Sequence, residues 1–180
     1  MLQITIPAVE KWDERKQEFV YGKEQTLQLE HSLVSISKWE SKWNKAFLSK
    51  RDKSTEEVLD YVRCMTLTKN VNSEIYTSIP NDVMDQISEY IDAPMTAVHF
   101  QDDKAGGTSR ETVTSEVIYY WMISLNIPFE CQKWHLNRLL ALIRVCNLKS
   151  NPPKKRSAKE IMSRNAALNA ARRQKLNTKG

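Results

Sequence analysis

The change of character at Pro152-Pro153 constrains what this 180-residue chain can fold into. Residues 149–180 hold ten Lys/Arg against one acid, Glu160, a net charge of +9. The whole chain carries +5, so residues 1–148 carry −4. A charged segment poor in large apolar side chains has too little burial to offset its conformational entropy. A packed core must therefore come from residues 1–148. The chain reads as a compact α-rich domain with N-terminal β-strands over 1–148, followed by a basic linker and a mobile helix over 149–180. It is long enough for one well-packed domain plus an appendage.

The expected class is mainly α (α+β). Leu2-Gln3-Ile4-Thr5-Ile6 alternates apolar and polar and stops at Pro7. Residues 18–21 and 26–30 are further short strand candidates, and together these suggest a small antiparallel sheet capping a helical body. From Ser32 the period becomes helical, with Leu33, Ile36, Trp39, Trp43 and Phe47 at three- and four-residue steps. Ser54 and Glu57 have capping-box spacing before a second helix, and Asn81-Asp82 reads as the cap of a third. The most loop-like stretch is 101–109, after which Thr108 and Glu111 repeat the capping spacing. Two apolar helices then flank Asn126-Ile127-Pro128, which predicts a long antiparallel hairpin over 112–148 as the heart of the core. Its first arm is apolar nearly all round and is expected to be buried; Pro128 is expected in the first turn of the second arm. Ser157 with Glu160 opens the last, alanine-rich helix.

Composition excludes several classes. Three cysteines at unpaired spacings suit a reducing compartment and give no disulfide framework. The first residues lack the pattern of a signal peptide, and no apolar run spans a membrane, so a soluble cytoplasmic protein is expected. There is no phosphate-cradling G-x-x-x-x-G-K-[ST], no G-x-S-x-G and no H-E-x-x-H. Cys131 and His135, at i and i+4, would face one side of a helix, but two ligands need two more. Cys64, Cys146, His31 and His99 form no second pair, so no metal, no cofactor and no catalytic residue is expected. The carboxylates Glu56, Glu57 and Asp60 read as a solvated helix face.

Two features point to partners instead. Trp39, Trp43 and Phe47 form a row surrounded by Lys38, Glu40, Lys42 and Lys45, the composition of a partly exposed helix-binding face. Lys154-Lys155-Arg156 and Arg172-Arg173 concentrate the positive charge of the tail. Nucleic acid would suit that charge, but the tail has no aromatic residue for base stacking and the body has opposite charge, which favours a protein contact.

Four stretches carry a resemblance: TLQLEHSLVSISKWE (26–40), DYVRCMTLT (60–68), IYYWMISLNIPFECQKWHLNRL (118–139) and NAALNAARR (165–173). Their phrasing is similar to the tail assembly chaperones of long-tailed bacteriophages and prophages of Gram-positive hosts. The resemblance runs nearly end to end. It implies a non-catalytic chaperone that binds the tape measure protein, helps recruit tail tube protein, works in the host cytoplasm and is absent from the mature virion. Self-association is compatible with that role. The alternatives are a nucleic-acid-binding phage protein or a structural head–tail or tail component.

Overall fold

A strand that alternates apolar and polar side chains must lay its apolar face on something, and β1 (Leu2–Ile6) and β4 (Gln25–Leu29) do so together. They pair antiparallel, with Leu2 opposite Leu29 and Ile4 opposite Leu27, and Ile4, Ile6, Leu27 and Leu29 are buried. The computed structural model describes residues 1–8, 10–13, 17–21, 24–49, 52–100, 112–150 and 158–176. Between the outer strands, β2 (Glu10–Asp13) and β3 (Glu18–Tyr21) form a separate two-stranded antiparallel ribbon. Strand β2 was not expected from the sequence, because EKWD shows no apolar alternation. Beyond β4, the Leu67 N–H donates to the Gln28 carbonyl (2.8 Å) and the Glu30 N–H to that of Met65 (2.9 Å). The end of the second helix thus runs beside β4.

The body is helical. Helix α1 (Leu33–Trp43) starts at Ser32, whose side chain accepts the Ser35 N–H while Ser35 accepts the Ser32 N–H. It stops at Asn44, whose left-handed backbone (φ 51°) suits a short polar side chain. Helix α2 (Thr55–Met65) opens with the expected Ser54–Glu57 capping box. After a 3₁₀ turn (Ser73–Ser78) comes α3 (Asn81–Asp92), with Pro80 at its N-cap and no side-chain cap bond, so Asn81 is the first helical residue rather than the cap. The chain continues through α4 (Ser115–Ser124), a 3₁₀ turn (Phe129–Lys133) and α5 (Leu136–Ser150). Residues 95–100 form no strand. The loop 101–109 and the Thr108–Glu111 spacing lie outside the described residues.

The region expected to be a hairpin is two helices with a 3₁₀ turn between them. Pro128 precedes that turn instead of opening a helix, and the second α-helix begins eight residues later. The element with the most neighbours is α1, which packs on α2, α4 and the 3₁₀ turn, while α3 packs on β1. Nor is α4 buried all round: Ser115, Ile118 and Met122 face the core, and Tyr120 and Ile123 face solvent.

Two units make up the chain, Met1–Cys146 and Asn147–Gly180. The core just described belongs to the first. In the second, α6 (Ala158–Leu176) is a single helix whose residues 162–176 are all exposed. Its apolar residues follow no stripe, so it offers no face to bury.

Candidate functional site

The tryptophan row is where sequence and structure disagree most. Trp39 is 1% exposed and Phe47 8%. Trp43 is partly buried beside them, stacked on Trp39 at 6.1 Å between centroids. Phe47 lies past the end of α1 in a turn and meets Trp39 edge to face at 5.2 Å. The expected exposed row is therefore the α1–α2 interface. Helical spacing identified which residues share a face, but not which face was covered.

Polar groups at this interface explain why the charges around the row did not mark it as surface. Trp39 Nε1–H donates to the Glu57 carbonyl (2.8 Å), and Trp43 Nε1–H to Asp60 Oδ2 (2.9 Å). Lys42 Nζ binds the other Asp60 oxygen, and Lys45 Nζ binds Glu57 Oε1 at 2.6 Å. Glu57 and Asp60 are buried, so they are interface ions, not a solvated face. Burial alone would raise the Asp60 carboxyl, but the Lys42 and Trp43 hydrogen bonds and the Lys42 and Arg63 charges outweigh it and hold Asp60 below its ordinary range. Glu40 is buried too. Its Oε1 accepts the Phe47 N–H and its Oε2 the Ser115 N–H, both at 2.7 Å. One carboxylate thus closes the turn after α1 and caps α4 from 75 residues away in sequence, where the helix dipole favours negative charge.

The constellation nearest to chemistry is a polar junction at the start of α5. The His31 and His135 rings lie 5.0 Å apart. His31 Nδ1 meets the Tyr61 hydroxyl at 2.5 Å, and that hydroxyl lies 3.3 Å from Ser35 Oγ. Ser, Tyr and His in contact have the elements of a nucleophile with its base. Here all are buried, and burial raises Tyr61 well above the usual phenol range. The raised Tyr61 phenol stays protonated, and the Ser35 hydroxyl donates to the Ser32 carbonyl (2.7 Å), so these groups satisfy one another. Cys131 lies in the 3₁₀ turn and His135 just before α5, so the expected i, i+4 pair does not share a helix. Among the described residues no three His, Cys, Asp or Glu converge to hold a metal.

Several large apolar side chains remain exposed. Tyr120 (67%), Ile123 (60%) and Phe129 (54%) occupy one turn of α4 and the following 3₁₀ turn. Tyr119 joins the two: its ring lies 6.5 Å from that of Phe129, and its hydroxyl donates to Gln132 Oε1 (2.8 Å). Glu116 and Glu130, both exposed, lie at its edges in sequence. Sequence reasoning missed this strip because a helix apolar on every side gives no sign of which side stays uncovered. Of the basic residues, Arg172 and Arg173 stand exposed on α6. Lys154, Lys155 and Arg156 lie outside the described residues. A shallow open cleft beside Asp85, Ser88, Glu89 and Asp92 on α3 has acidic walls and no converging catalytic groups. Among the described residues, no helix is long and apolar enough to cross a membrane.

No protein-family model, no curated protein and no solved structure matches this chain.

Proposed function

We propose that this chain is a non-catalytic assembly chaperone of a phage tail. In this reading it binds the tape measure protein, assists addition of tail tube protein in the host cytoplasm, and leaves before the virion is complete. The observation that carries the reading is the exposed strip Tyr120–Ile123–Phe129. Large exposed apolar side chains on one turn of a helix and the turn that follows it are what a chaperone needs to shield apolar helical segments of a client. The four stretches that resemble tail assembly chaperones include the strip itself, within residues 118–139. Trp43 keeps a partly open edge, but Trp39 and Phe47 are committed to the core, so the client surface is assigned to α4. Arg172 and Arg173 on the exposed α6 supply a second, electrostatic contact, to tube protein or another copy.

Co-expression tests this reading. A tape measure protein, if one is encoded beside this chain, should be soluble when the two are made together and insoluble alone, and purified virions should lack the chain. If Tyr120→Ser/Ile123→Ser keeps the client soluble as well as wild type, the strip is not the client surface. If wild type fails to solubilise the client, the chaperone reading falls. Steeply salt-dependent binding to DNA or RNA, lost on removing α6, would favour the nucleic-acid alternative.

A further inference from the structure

The two buried histidines have no part in client binding, and their geometry points to a separate property. His135 precedes the first residue of α5 and forms a β-bridge with Ser32. Its Nε2 lies 2.9 Å from the Tyr90 carbonyl, which can only accept, so Nε2 carries hydrogen. Its Nδ1 accepts the Asn137 N–H at 3.3 Å and so caps the helix it precedes. The ring is therefore neutral, and both nitrogens are in use. Around it, the Leu136 N–H donates to the His31 carbonyl (2.7 Å), and Asn137 Nδ2 donates to the Ile91 (3.0 Å) and Ala93 (2.8 Å) carbonyls at the end of α3. The β4–α1 junction, the end of α3 and the start of α5 all meet at this pair.

We propose that the His31–His135 pair is an acid-sensitive catch that releases the start of α5 while the α1–α2 interface stays folded. A proton taken from solvent by His135 Nδ1 removes the acceptor of the Asn137 N–H and places positive charge at a helix N-terminus, where the dipole opposes it. A proton on His31 adds a second cation 5.0 Å away in a site closed to water. The titratable and charged groups facing the pair are few. From α2, Tyr61 bonds His31, with Cys64 nearby; from α3, Tyr90 offers its carbonyl and its ring, 4.9 Å from that of His135. From the end of β4, Glu30 favours a charged His135, but it already binds the Met1 amino group (2.9 Å) and the Tyr90 hydroxyl (2.7 Å). That amino group opposes charge on His135. Desolvation dominates for both rings: it lowers His135, and with the neighbouring His135 it brings His31 down to about 4. Release of α5 would uncover Leu136, Leu139 and Ile143, so acid would be converted into exposed apolar surface.

Hydrogen exchange of the full chain, expressed as protection relative to an unfolded peptide at each pH, reads this directly. A His that falls from 6.5 to about 4 on folding predicts a loss of protection of roughly 20-fold at Asn137 and Leu139 between pH 7 and pH 5. Val62 in α2 should stay better protected than either at both pH values. In the wild-type chain the His31 imidazole should titrate well below its ordinary 6.5, near 4, where the loss at Asn137 levels off. In His31→Gln/His135→Asn, where Asn can still cap α5, the loss should vanish. Three results would overturn the catch: protection at Asn137 and Leu139 unchanged to pH 5, protection there no lower than at Val62, or a His31 imidazole that titrates at its ordinary 6.5 in the folded chain. The last reading needs no variant, so it decides even if the double substitution does not fold.

Discussion

Single side chains at the α1–α2 interface carry disproportionate weight because they are both buried and bonded. Trp39 fills the core and donates to the Glu57 carbonyl, so Trp39→Ala should cost roughly 3–5 kcal/mol in a denaturant melt. Glu40→Ala removes the acceptor of two buried N–H groups, at Phe47 and Ser115, and should cost about 3 kcal/mol. An unchanged melt for Glu40→Ala would mean that water replaces the carboxylate. The ionisable residues also fix how stability varies with pH. The folded state lowers His31 from 6.5 to about 4, so it prefers the neutral ring: its contribution is complete above 6.5 and is lost as pH falls toward 4. That difference is worth about 3 kcal/mol in all. Asp60 is also lowered, so its contribution is lost only at lower pH, below the ordinary carboxylate range. Stability should therefore fall in two steps, the first removed by His31→Gln/His135→Asn and the second by Asp60→Asn.

Among the elements, α4 carries the strongest functional expectation. Its inner face, Ser115, Ile118 and Met122, anchors it to the body, and its outer face holds Tyr120 and Ile123. Substituting outer residues removes little buried area, so Tyr120→Ser/Ile123→Ser should leave the melting curve within about 0.5 kcal/mol of wild type per site. Client binding should weaken by about 2 kcal/mol or more if the strip is the anchor. A drop in stability of several kcal/mol would show instead that the strip is covered. The 3₁₀ turn after α4 has its own consequence. It delays the start of α5 until Leu136, which is what places His135 at a helix N-terminus and not inside a helix.

At the scale of the molecule, the chain joins a unit with a core to one in which residues 147–150 and 162–176 are all exposed. Residues 162–176 bury nothing within the second unit, so α6 owes its helix to alanine-rich local propensity. Truncation after Ser150 should leave the melting temperature unchanged. It should reduce any self-association seen at low salt, since the removed segment, at +8, and the remaining body, at −3, attract within a Debye length of about 10 Å at 0.1 M. A truncated chain that unfolds would place residues beyond 150 in the core. Proteases should cut early within the exposed α6 and late within α1 and α2.

Local order was legible in the sequence wherever it depends on neighbours in the chain. The alternation of β1 and β4, the Ser54–Glu57 capping box, the helical period from Leu33 and the Ala-rich α6 all follow from backbone geometry and short-range hydrogen bonds. So does the division between an acidic body and a basic tail, which is a matter of composition. Only the tertiary structure decided which faces meet. Trp39 and Phe47 are core because α2 supplies a carbonyl for one indole and covers both rings, while Tyr120 and Ile123 are surface because, among the described residues, nothing covers that side of α4. Glu40 and Ser115, or His31 and His135, are distant in sequence, and neither residue of a pair hints at the other. Their roles arise from long-range burial, which turns an ordinary carboxylate into a helix cap and two ordinary histidines into neutral hydrogen-bonding groups.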